Sequence, residues 1–201
     1  MRAADCAKRC ANGDEFSILS LKLRREFVNK ERVGSSQRKM KIHRLHFTQR
    51  LPIGLDEAWR FFSDPRNLPV ITPPWLNFRI TSEIPEKMYA GLIITYRVSP
   101  LLGWPVGWVT EITHVAEPRL FVDEQRFGPY KFWHHQHIFD ETPDGVEMQD
   151  IVHYALPFGP LGQLANSLVV RRKLHDIFNF RRLTLERLFV GKEVASLYRE
   201  G

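Results

Sequence analysis

Residues 130–156 read YKFWHHQHIFDETPDGVEMQDIVHYAL. Two runs of alternating character flank Thr142-Pro143-Asp144-Gly145. That tetrad suits a tight turn, because proline presets one backbone angle and glycine accepts the others. In the second run the even positions Val146, Met148, Val152 and Tyr154 belong in a core, whereas Glu147 and Gln149 belong outside. A turn centred between Pro143 and Asp144 pairs Phe139 with Met148, His137 with Asp150, His135 with Val152 and Trp133 with Tyr154. This register extends the parity of the second strand to the first. Trp133, His135, His137 and Asp150 are therefore expected together on the inner face of an antiparallel hairpin.

Upstream, short runs bounded by proline or glycine predict further antiparallel strands over Leu76–Ile84, Leu92–Ser99, Val106–Ala116 and Leu120–Phe127. A first strand, Lys41–Leu51, ends at Pro52 and Gly54. Asp56 then heads a short helix, Glu57–Ser63, with Trp59 and Phe62 on one side. Asp64-Pro65 breaks it, and Arg66–Val70 reads as a second helical turn ahead of Pro73-Pro74. Downstream of Pro157-Phe158-Gly159-Pro160 the period becomes helical. Leu161, Leu164, Ala165 and Leu168 form one stripe; Leu174, Ile177, Phe178, Leu185 and Leu188 form a second, rotated about the axis. Such a helix of about thirty residues spans roughly 45 Å, long enough to cross a whole sheet face, with a bend where the stripe drifts. Strand, two short helices, six strands and a long helix make an α+β fold with the helices on one side of the sheet.

The 201 residues are 43% hydrophobic, 26% charged and 12% aromatic, which describes one folded domain that needs no disulfide or metal staple. No apolar run approaches the ~18–20 residues of a membrane span, so no stable membrane insertion is expected. Cys6 and Cys10, the only cysteines, support neither a disulfide framework nor a cysteine-based zinc site. Without an apolar signal stretch near the start, a cytoplasmic location is expected. The net charge of +6 is uneven: residues 1–39 hold ten Lys/Arg against five acids, and the remainder is nearly balanced. Basicity confined to a leader and to one helix does not make a basic folded face, so no nucleic-acid partner is expected. Residues 1–39 read as a poorly ordered basic extension, although Asp14–Val33 carries an amphipathic pattern through Phe16, Leu19, Leu23 and Phe27. The folded domain is expected over 40–190, with 191–201 as a tail.

A strongly twisted sheet gripping a helix leaves an elongated, mostly apolar cavity between them. A histidine beside a carboxylate in such a cavity can bind a polar head or move a proton; the same pair can equally satisfy itself inside a core. His137 and Asp150 are the candidates for any catalytic role. Trp133, His135, His137, Asp150, Tyr154, Tyr96, Gln125, Trp108 and Leu168 are the candidate ligand-binding set. Arg171, Arg172, Arg181 and Arg182 read as solvent-facing, with one of each pair able to turn toward an anion. His135, His137 and Asp150 also compose a two-histidine, one-carboxylate set, but histidines two apart on one strand are a weak ligand signal, and no metal is expected. Walker, G-x-S-x-G and H-E-x-x-H sequences are all absent, and no cofactor is expected.

The segments LPIGLDEAWRFFSDPRNLPVITPPWL (51–76) and GPYKFWHHQHIFDETPDGVEMQDIVHYALPFGPLGQLANSLVVRRKLHDIFNFR (128–181) resemble the ligand-binding SRPBCC (START-like, polyketide-cyclase-like) domains, in a bacterial branch marked by W-x-H-x-H-x-F…D-x-V-x-Y. The resemblance covers about 150 residues from Met40 onward. It implies the helix-grip fold: a curved antiparallel sheet of six to seven strands wrapped around a long C-terminal helix, with two short helices after the first strand. It marks Trp133, His135, His137, Asp150 and Tyr154 as characteristic residues. It implies binding of a hydrophobic or amphipathic molecule, lipid- or polyketide-like, by a carrier or sensor. Two other readings remain: a cyclase or dehydratase with His137, oriented by Asp150, as general base, and a module docking an epimerase-like, cell-division-linked protein partner.

Overall fold

The computed structural model describes residues 41–100 and 103–197; the basic leader with its amphipathic stretch lies outside them. Seven strands form one antiparallel sheet: β1 (His43–Leu51), β2 (Arg79–Ile80), β3 (Ile93–Val98), β4 (Val106–Ala116), β5 (Leu120–Phe127), β6 (Phe132–Thr142) and β7 (Gly145–Ala155). Their order is β1-β7-β6-β5-β4-β3-β2, so the first strand closes on the last and the others follow as hairpins. The β6–β7 register is the one expected, with Phe139 opposite Met148, His137 opposite Asp150, His135 opposite Val152 and Trp133 opposite Tyr154. Gly145 holds the turn at φ +132°, and a Cβ there would stand 2.2 Å from the Leu51 carbonyl oxygen. Register shifts between β4 and β5 at Val109/Thr110 and Ile112/His114 add twist that curls the sheet.

Helix α1 (Leu55–Phe62) and a 3₁₀ turn, Pro65–Asn67, follow β1. The helix starts at Gly54, with no side-chain cap, and Asp56 lies in its first turn instead of heading it. Asp64 caps the 3₁₀ turn by accepting from the Arg66 amide. The strand expected over 76–84 shrinks to Arg79–Ile80. Pro73 and Pro74 lock a 3₁₀ turn through Leu76, and Asn77 follows in the left-handed conformation at φ 46°, so extended pairing starts late.

The long helix is continuous but not uniform. Helix α2 (Gly159–Ala165) passes through a wide π turn, Asn166–Val170, into α3 (Arg171–Leu197), which runs past the expected end of the domain. The π turn supplies the rotation between the two apolar stripes. From α3, Leu174 and Phe178 pack with Leu45, Trp133, Val152 and Tyr154, while Leu185 and Phe189 pack with Trp59, Phe62, Phe139 and Met148. Each such buried side chain contributes about 1.5–3 kcal/mol of transfer free energy. The first stripe departs from expectation: Leu161, Leu164 and Leu168 are exposed, Leu168 by 67%. Gly162 and Asn166 face inward in their place. A Cβ at 162 would lie 2.0 Å from the Pro157 carbonyl oxygen, and Asn166 is bonded to Tyr154 and His43; these two contacts turn the leucines outward. No helix among the described residues is long and apolar enough to cross a membrane.

Candidate functional site

On β5 and β6 Asp123 stands opposite His135, and on β6 and β7 His137 stands opposite Asp150. All four side chains point to the helix side of the sheet, and His135, His137 and Asp150 are buried. The hydrogen bonds run diagonally. His135 Nε2 donates to Asp150 Oδ1 at 2.8 Å, and His137 Nε2 donates to Asp123 Oδ2 at 3.0 Å. A carboxylate only accepts, so each bonded nitrogen carries a proton. The directly opposite atoms are also close: His135 Nδ1 lies 3.2 Å from Asp123 Oδ2, and His137 Nδ1 lies 3.0 Å from Asp150 Oδ1. The second contact is out of line, and that buried nitrogen has no hydrogen bond. Trp133 Nε1 donates to Asp123 Oδ1 at 3.3 Å. From α3 Arg181 reaches within 3.6 Å of Asp150 Oδ1. Each imidazole thus lies between two carboxylates, with a guanidinium behind one of them.

Burial by itself would lower the His135 pKa, but the charge and hydrogen bonding of Asp123 and Asp150 outweigh it and push the ring up to about 9. Burial would raise both carboxyls; the charge on His135 and the hydrogen bonds from the two rings hold Asp123 well below the ordinary carboxylate range. The two imidazoles, with Arg181, do the same for Asp150. At neutral pH the cluster holds an imidazolium, two carboxylates and a guanidinium. Burial, reinforced by the charge of Asp123, pushes the Tyr96 hydroxyl above its usual range, so Tyr96 faces the cluster as a neutral phenol.

Asp123, His135 and His137 form one wall of a cavity of about 190 Å³ between sheet and helix. Its other walls are mainly apolar and aromatic, among them Phe62, Ile94, Tyr96, Trp108, Ile112 and Phe178. Leu76, Pro100, Tyr130, Leu174 and Ile177 line both this cavity and a second one of about 220 Å³, which leads past Trp75 and Lys173 to the exposed Phe158. A third, of about 400 Å³, lies behind the cluster among Phe47, Met148, Asp150, His175 and Arg182. Arg181 lines both the first and the third, so the polar cluster separates an apolar chamber from a polar one.

Of the expected ligand set, Trp133, His135, His137, Tyr96 and Trp108 line the main cavity, and Asp150 touches it only through the histidines. Three residues fall elsewhere. Tyr154 is fully buried and donates to Asn166 Oδ1 at 2.8 Å. Gln125 turns to the β5–β6 connection, where it donates to the Tyr130 carbonyl oxygen and accepts from the Tyr130 amide. Leu168 points to solvent for the reason given above. The pairing of His137 with Asp150 holds as register, but the carboxylate bonded to His137 is Asp123. Two residues central to the cluster were not anticipated. Asp123 shares its inward face with Phe121, and a turn centred on Pro129 would have set it opposite His135. Arg181, expected at the surface, lies three residues after Phe178 and four before Leu185, on the buried side of α3.

No protein-family model matches the chain, and no curated protein does. Solved structures do. Protein CV1439 from Chromobacterium violaceum is similar with a TM-score of 0.55 at 13% identity, over 73% of this chain and 96% of that one. Protein Ms6760 from Mycobacterium smegmatis is similar with a TM-score of 0.53 at 19% identity, over 72% and 92%. Ginseng major latex-like protein 151 from Panax ginseng is similar with a TM-score of 0.55 at 14% identity, over 74% and 97%. At such identities the likeness is one of fold: this chain has the α+β helix-grip architecture, a seven-stranded antiparallel sheet closed around its C-terminal helix.

Proposed function

We propose that the protein binds an elongated amphipathic small molecule, its polar end at His135 and His137 and its apolar part along the chamber toward Trp75 and Lys173. The observation carrying this reading is an apolar cavity that ends on the Asp123–His135–His137 cluster and shares the walls Leu76, Pro100, Tyr130, Leu174 and Ile177 with a second apolar cavity that reaches Phe158. Preformed pockets of this kind, apolar with a few converging polar groups, are where small molecules bind. Asp123, His135 and His137 give that end of the cavity a polar, hydrogen-bonding wall, which suits the polar head of such a molecule. A partner-docking module would fill its interior, so the cavity weighs against that reading.

Acid–base turnover is the second reading, favoured by the buried His137 Nδ1 that has no hydrogen bond. In that case Asp123 is the carboxylate bonded to the ring, and His135, already protonated, serves as the donor.

The test is native mass spectrometry of the full chain before and after organic extraction, joined to titration with a dansylated C11 fatty acid. Val98→Phe narrows the cavity wall and is expected to weaken probe binding at least about fivefold, a loss in line with overpacking by a few methylenes. Leu168→Ser, at the surface, is expected to leave it unchanged. Equal affinity in wild type and Val98→Phe would place the probe outside this chamber and overturn the reading.

A further inference from the structure

We infer that Asp123, His135 and His137 form a binding site for a single first-row divalent transition-metal ion of the zinc and ferrous iron class. The inference goes beyond the ligand reading and stands without it, because an ion is held or not held whatever occupies the chamber.

The donor set comes first. Two imidazoles and one carboxylate, with no thiolate, suit zinc, iron or cobalt better than magnesium or calcium, which favour all-oxygen shells. The spacing comes second. The candidate ligand atoms of Asp123, His135 and His137 all lie within 4.8 Å of one another. Asp123 Oδ2 stands 3.2 Å from His135 Nδ1 and 3.0 Å from His137 Nε2. An ion bonded at about 2.1 Å to each ligand holds tetrahedral neighbours about 3.4 Å apart, so two of the three separations are already short enough.

The groups behind the ligands suit a metal site as well. A metal-bound histidine nearly always turns its other ring nitrogen to a carboxylate or carbonyl, which sets tautomer and orientation. Here the two remaining nitrogens converge on one atom: His135 Nε2 is 2.8 Å and His137 Nδ1 3.0 Å from Asp150 Oδ1. Coordination through His137 Nε2 would leave the proton on Nδ1, which lies 3.0 Å from Asp150 Oδ1 but out of line with it. A small turn of the ring toward the ion would give this buried nitrogen the hydrogen bond it lacks. The ligand carboxylate has its own support, since Trp133 Nε1 donates to Asp123 Oδ1. Arg181, 3.6 Å from Asp150 Oδ1, balances the charge of the shared acceptor. All three ligands stand on the paired strands β5 and β6, a rigid base for a metal site, and all three line the cavity, which leaves the remaining coordination positions open to it.

The test uses the full chain, stripped with chelator and dialysed, then titrated with Zn²⁺ by calorimetry and with Co²⁺ by visible absorption. The expected result is one ion per chain, bound in the micromolar range or tighter, with Co²⁺ ligand-field bands. His137→Ala and Asp123→Asn should each weaken binding by at least about tenfold, and Asp150→Asn by about ten- to a hundredfold, as loss of an orienting carboxylate does elsewhere. His134→Ala and His153→Ala, on the outer face of β6 and β7, should change nothing. Should a cluster variant fail to fold, the wild-type chain decides alone: Co²⁺ should shift or broaden the ring-proton resonances of His135 and His137 and spare those of His46 and His114. No saturable binding, or binding that survives the Asp123 and His137 changes, or paramagnetic effects centred on other histidines, would overturn the assignment.

Discussion

Replacing Asp150 by Asn removes one charge from the cluster and almost no volume. Asp150 and Arg181 are both largely shielded from water, with side chains 8% and 11% exposed and 3.6 Å between them. At an effective dielectric of about 20, two unit charges at that distance attract by about 4.6 kcal/mol. Desolvation offsets much of that in the intact pair, but the variant keeps the desolvated guanidinium without its carboxylate and leaves the His135 imidazolium with Asp123 alone. Removing one member of a buried pair costs about 3–5 kcal/mol, and for a domain of this size about 2–4 °C of Tm accompanies each kcal/mol. Urea unfolding followed by tryptophan fluorescence in the presence of chelator should therefore show a loss of about 3–5 kcal/mol with an unchanged slope. Adding Arg181→Met to Asp150→Asn should restore part of it, because the stranded cation is gone. A loss below about 1 kcal/mol, the value typical of exposed pairs, would mean that water from the neighbouring 400 Å³ chamber already solvates the pair and that the cluster is not an enclosed charge set.

Tyr154→Phe leaves the buried Asn166 oxygen without its donor and should cost about 1–3 kcal/mol in urea unfolding, with fatty-acid probe binding unaffected; loss of binding at full stability would return Tyr154 to the ligand site. Gly162→Ala should destabilise by about 1–3 kcal/mol through overpacking, since its Cβ would meet the Pro157 carbonyl oxygen at 2.0 Å. A gain in stability, the usual effect of alanine in a helix interior, would show that close approach to be wrong. In chelator-treated protein the proton on His135 is bound more tightly in the folded than in the unfolded chain, its pKa rising from 6.5 to about 9. The stability this adds is fully present below about pH 6.5 and is lost as pH rises through about 9. Denaturant midpoints measured from pH 6 to 10 should fall accordingly, and His135→Gln should flatten the decline. A flat wild-type profile would mean the ring is neutral in the folded state.

Much of the site was legible along the chain because hairpin geometry is local. Period-two alternation and the Pro-Asp turn placed Trp133, His135, His137 and Asp150 on one face, and the β6–β7 register followed from them. Asp123 escaped because β5 buries Phe121 and Val122 side by side, which blurs the alternation that reveals facing. Gln125, two residues on, has the parity of Asp123 but is drawn to the backbone of Tyr130.

The order of elements, the antiparallel pairing and the inward histidines are determined by the sequence itself, since each depends on neighbours a few residues apart or across one tight turn. Tertiary structure alone decides which carboxylate bonds which ring, because that depends on side chains from three strands competing for the same two imidazoles. It also decides that Arg181 turns in and Leu168 turns out. A helix stripe says which residues share a face. Which face meets the sheet was set by packing that no stripe reveals: the close approach of the Pro157 carbonyl to Gly162, and the hydrogen bonds of Tyr154 and His43 to Asn166.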